Sequence, residues 1–136
     1  YYKICDALPF AFTDIEMVFD KEKKAVDWIF RYGNEALATL EKLPLDKMIG
    51  SSFSSLFSNM DSKWLQGYER ATLYGETLEI IDYSPEIDTN LKIICFPTFP
   101  GHCGCILFNA DKMRYIKDGN NLVRWIIVSM KSDFAK

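Results

Sequence analysis

The residues best suited to chemistry gather near the end of the sequence. They are His102-Cys103-Gly104-Cys105, with Cys95 a few positions upstream. Thiolate and imidazole ligands suit zinc or another soft metal, so Cys95, His102, Cys103 and Cys105 form a candidate metal or redox-sensing set. Strand geometry argues against it. Cys-x-Cys on a strand points both sulfurs to one face about 7 Å apart, from a rise of ~3.3 Å per residue. That is wide for Zn–S bonds of ~2.3 Å unless a bulge intervenes. The bland reading is three small buried hydrophobes lining a sheet. Nucleophilic catalysis fares no better, because His102 is the sole histidine and a strand turns it away from Cys103. The sequence also has no glycine-rich phosphate loop and no carboxylate pair on a recognisable scaffold. It reads as a chain that binds rather than one that catalyses.

Bulk properties narrow the class. The 136 residues amount to about one domain, and with 49% hydrophobic and 15% aromatic residues they can fill a core. A formal charge of −3 argues against nucleic-acid binding, which needs clustered Lys and Arg. No apolar run approaches the roughly 18–20 residues of a membrane span. Four cysteines at irregular spacing imply reduced thiols and a cytoplasmic location. The first residue is Tyr1 and no secretory leader follows, which suggests a piece of a longer protein.

Several elements must position these residues. Phe12 to Phe19 alternates with period two and predicts a strand, DKEKK (20–24) a charged turn, and Ala25 to Tyr32 its hairpin partner. Asn34 is a suitable cap for a helix from Glu35 to Leu43, which Pro44 stops. A short helical turn, Leu45 to Ile49, ends at Gly50. Asp61 or Ser62 caps a further helix that carries Trp64, Leu65, Tyr68, Ala71 and Thr72 on one face and ends at Gly75. Strands over Glu76 to Tyr83, Leu91 to Phe96 and His102 to Asn109 follow, with PTFPG (97–101) as the last turn. Two strands, a run of helices, then three strands is an α+β pattern. The tail from Asp111 reads as helix over Leu122 to Lys131, with a strand as the alternative.

That order, from Phe12 to Asn109, resembles a Per-Arnt-Sim (PAS) sensory domain. The stretch RYGNEALATLEKLPLDKMIGSSFSSLF is similar to the family's segment in which an Asn opens the first helix. There an Ala and a Leu follow, a turn ends in Gly, and a Phe packs beneath; here these are Asn34, Ala36, Leu37, Gly50 and Phe53. The Trp64–Tyr68 helix is similar to the one that crosses the family's sheet. One departure is Phe108-Asn109-Ala110-Asp111, where many members carry an Asp-Ile-Thr-like coupling motif.

The resemblance implies a five-stranded antiparallel sheet with short helices on one face and flanking terminal helices. It divides the chain into a flank at 1–11, a PAS-like domain at 12–110 and a helical flank at 111–136. It also implies a sensory role in a signalling protein, which for a bacterial parent is commonly a histidine kinase or a cyclic-dinucleotide synthase. Three cofactors are disfavoured. The flavin-type run with its reactive Cys is missing between Asn34 and Trp64, residues 54–94 hold no Cys for a covalent chromophore, and no His stands on the crossing helix for haem. What remains is an unidentified small ligand between sheet and helices, with candidate residues Asn34, Phe53, Trp64, Tyr68, Ile80, Tyr83 and Cys95. Phe19, Phe30 and Phe57 could join them, or all these aromatics are ordinary core. Apolar positions outside the PAS-like part (Tyr1, Ile4, Leu8 and Phe10; Leu122, Trp125, Ile126 and Met130) imply a homodimer through the terminal segments.

Overall fold

The computed structural model describes residue 6 and residues 8–57, 62–85 and 87–110. The expected tail helix, with Leu122, Trp125, Ile126 and Met130, lies outside them, as do Tyr1, Ile4, Cys5 and Asp61. Within them the chain forms β1 (Ala11–Phe19), β2 (Ala25–Gly33), α1 (Glu35–Glu41), α2 (Leu45–Met48), α3 (Phe53–Leu56), α4 (Ser62–Tyr74), β3 (Leu78–Ser84), β4 (Thr89–Pro97) and β5 (His102–Asn109).

The strands make one antiparallel sheet in the order β2-β1-β5-β4-β3. Local chemistry closes its hairpins. Asp20 Oδ1 accepts from the backbone N–H groups of Glu22 and Lys24 at 2.9 Å in the β1–β2 turn. In the β4–β5 turn Gly101 takes φ +80, which a side chain would resist, and the N–H of His102 donates to Phe99 O at 2.9 Å. The outer edge of β2 is partly sealed by the chain itself. Phe30 N–H donates to Ser51 O at 3.0 Å, and Gly50 N–H to Phe30 O at 2.7 Å.

Period-two alternation divides the sheet into two apolar faces. The inner face carries Ile15, Met17, Trp28, Phe30, Ile93 and the three core cysteines, packed against Leu37, Met48, Phe53, Trp64, Tyr68 and Ala71 from the four helices. The outer face carries Phe12, Phe96, Ile106 and Phe108, with Leu8, Phe10, Tyr32 and Ile94 against them. Helix α4 lies close to the sheet at Gly67. A methyl there would lie 2.3 Å from Cδ1 of Ile80.

Asn34 joins the start of the domain to its first helix. Its Oδ1 accepts from Leu37 N–H at 3.0 Å, as an N-cap, and from Phe12 N–H at 3.1 Å; its Nδ2 donates to Phe10 O at 3.0 Å. With Asn34 only 2% exposed, water cannot replace these bonds easily. Asn34→Ala is expected to cost about 2–4 kcal/mol, combining a lost cap with stranded buried backbone groups. Urea denaturation measures it, and a loss below that of an ordinary exposed cap would contradict the assignment.

Candidate functional site

Between the inner face and the helices lies a small chamber of about 20 Å³. That volume admits about one water molecule. Its walls are apolar over most of their area: Ile15, Trp28, Phe30, Phe53, Leu91, Ile93 and Leu107. The rings interlock, with Trp28 4.4 Å from Phe53 and 5.0 Å, edge-on, from Tyr68, and Phe53 4.8 Å from Phe57. Such contacts account for how little space is left.

Into this apolar setting project a few polar groups: Glu41, Trp64, Tyr68, Thr13 and Cys105. Thr13 Oγ1 donates to Tyr32 O at 2.7 Å. Among the described residues the indole Nε1 of Trp64 is fully buried and has no hydrogen-bond partner. Glu41 is 7% exposed, rare for a carboxylate. It stands four residues after the buried Leu37, on the same face of α1. The helix ends at once, because Lys42 adopts the left-handed conformation at φ 60 and its N–H closes on Ala38 O. Burial pushes the Tyr68 hydroxyl well above its ordinary range, helped by the neighbouring thiols of Cys105, Cys95 and Cys103 and by Glu41. Tyr68 is therefore a neutral donor at any physiological pH.

The sequence candidates divide into two groups. Phe53, Trp64 and Tyr68 line the chamber, as does Phe30. Asn34, Ile80, Tyr83 and Cys95 do not. Asn34 is occupied by backbone, Ile80 packs on Gly67, and Cys95 Sγ lies 3.8 Å from Gly67 O. Tyr83 corrects the expectation most clearly. Three residues from Ile80 on one strand is an odd step, so Tyr83 takes the opposite face, 43% exposed, and its hydroxyl bonds Asp88. Glu41, Trp28 and Thr13 were missed, although the i, i+4 step from Leu37 to Glu41 was visible.

The metal-type set is not assembled. Cys95 and Cys105 face each other in register and Cys103 joins them on the inner face, whereas His102 lies on the outer one. Its Nδ1 sits 3.0 Å from Oδ2 of Asp14, a carboxylate 1% exposed that also accepts from Thr98 Oγ1 at 2.6 Å. This outer group clamps the β4–β5 turn onto β1. Among the described residues no cluster of three or more His, Cys, Asp or Glu is placed to hold a metal.

No protein-family model matches the chain, and no curated protein matches its sequence. Among solved structures it is similar to the crystal structure of a LOV protein, of a PAS subfamily, from Rhodobacter sphaeroides. The TM-score is 0.53 at 13% identity, covering 85% of this chain and 67% of that one. The expected architecture is observed: the chain has the PAS fold, an α+β five-stranded antiparallel sheet with short helices on one face. No described helix is long and apolar enough to cross a membrane.

Burial raises the Cys95 thiol from its usual 9.0 to about 12, with Cys103 adding to the shift, and raises Cys105 too. The unfolded thiols ionise first as pH rises, so folding stability is whole below about pH 9 and falls towards about pH 12. Replacing Cys95 by Ser or Ala is expected to flatten that alkaline loss. In the native protein at pH 8, Cys95, Cys103 and Cys105 should resist iodoacetamide until the fold opens. Peptide mapping reads this directly, and rapid native alkylation would contradict it.

Proposed function

We propose that the chain is a non-catalytic sensory module of a larger, cytoplasmic signalling protein. It binds a small molecule in the inner chamber and relays occupancy through its terminal segments to an attached output domain. The observation that carries this reading is that Glu41, Tyr68 and Trp64 line one small, mostly apolar space, with the Trp64 N–H buried and without a partner among the described residues. Ligand sites are built in that way, and buried polar groups are costly elsewhere. A ligand offering an acceptor to Trp64 and a donor to Glu41 gains from both. The likeness to a LOV protein supports the sensory reading at the level of fold.

A chamber of about 20 Å³ is the closed form of such a site. Binding then selects an arrangement in which the wall residue Phe53, at the start of the four-residue α3 and packed on Phe57, has moved outward. The same movement supplies the two states that a relay needs. A homodimer through the terminal segments, with a histidine kinase or cyclic-dinucleotide synthase as the bacterial output, is the arrangement this reading fits.

The chamber's size also favours a second reading, a ligand-free dimerisation module with a filled core. A domain that sediments as a dimer, gives monomers on Trp125→Asp, and is stabilised by no small molecule would establish it.

A thermal-shift screen against a metabolite panel separates the two. At a hundredfold excess over Kd a specific ligand adds about 2.7 kcal/mol, a rise of several degrees. The expected result is a hit whose shift is lost in Glu41→Gln and in Trp64→Phe. Hits that persist in both variants would place the site elsewhere.

A further inference from the structure

A second concavity lies on the other side of Leu107, which lines both spaces. Its volume is about 560 Å³, within the roughly 300–1,000 Å³ of small-molecule sites. It is a groove between the outward side of α1 and the end of the sheet where β1 begins and β5 ends. Phe10 and Phe108, with ring centroids 5.1 Å apart, belong to its apolar lining with Leu40, and Thr39 and Asn109 add neutral polar groups. In a chain of 19 acidic and 16 basic residues, none of the described lining residues is acidic.

Among the described lining residues the one charge is Lys42. The backbone there is fixed at φ 60 by the helix-ending bond to Ala38 O. The side chain is exposed and makes no ion pair among the described residues. A single uncommitted ammonium beside an apolar trough of this size complements a monoanion with an apolar body. A phosphate ester would call for the several donors of a nest or an Arg fork, and the described lining residues offer no Arg and no second cation.

We infer that this groove is a binding site for a small amphipathic carboxylate, such as a medium-chain acyl or aryl acid. Lys42 holds the carboxylate, and Phe10, Leu40 and Phe108 hold the body. The site is distinct from the inner chamber. It touches both the start of β1 and the end of β5, so an occupant braces the two points where the PAS-like domain meets its flanks.

Isothermal titration of the full chain with octanoate, octylammonium and octanol tests the inference. Octanoate should saturate a single site, and octylammonium should bind more weakly than octanol. Lys42→Ala, an exposed change that leaves the core intact, should weaken octanoate about 2- to 5-fold, as for other exposed ion pairs. Lys42→Glu should weaken it further, and Leu40→Asp should abolish it. Glu41→Gln should leave octanoate binding unchanged, so failure here is distinguishable from failure of the chamber reading. No saturation by octanoate, equal binding of octylammonium, or indifference to Lys42→Glu would each overturn the site.

Discussion

The close approach of α4 to the sheet governs everything beneath it. Gly67 lies against the sheet, where a methyl would make the terminal Cδ1 of Ile80 turn aside, and Cys95 Sγ settles 3.8 Å from its carbonyl. From this position Trp64, Tyr68 and Ala71 enter the core, and Tyr68 meets Trp28 edge-on at 5.0 Å. The inner chamber lies beneath this face of α4, which supplies Trp64 and Tyr68 to its lining. Its chemistry is set by the helix end at Lys42, which leaves Glu41 facing inward.

Two faces of one sheet carry two kinds of polar arrangement. On the inner face the polar groups sit among rings and thiols in a space the size of a water molecule. On the outer face Asp14 is fully committed to Thr98 and His102, and Glu16 pairs with Arg31 at 3.1 Å. The outer network has the look of structural bracing, since each donor meets an acceptor across neighbouring strands. The inner one retains an indole N–H without a partner among the described residues, a cost that the outer face does not carry at Asp14.

Much of the architecture was legible because local signals agreed. Alternation marked β1, the PTFPG turn placed β5, Pro44 and Gly50 bounded the short helices, and the spacing of Trp64, Tyr68 and Ala71 fixed the buried face of α4. The Asn34 cap was readable from residue type. Its further bonds to Phe12 and Phe10, 22 and 24 residues away, were not. The site was harder. Whether an aromatic lines a cavity or fills one depends on packing at the scale of single atoms, which no periodicity records. Glu41 was hidden because a Glu followed by Lys reads as solvent-facing until the helix end is known. Tyr83 was misplaced because Ile80 and Tyr83 were grouped by type, when three steps along a strand separate faces.

The central claim is that the inner chamber accepts a small molecule through Glu41 and Trp64. Native mass spectrometry of the domain, after incubation with a small-molecule cell extract, tests it most directly beside the denatured mass. The account predicts an added mass that disappears on denaturation and is missing from Glu41→Gln and Trp64→Phe. An unmodified mass in both spectra, as a bare monomer or a bare dimer, would contradict it.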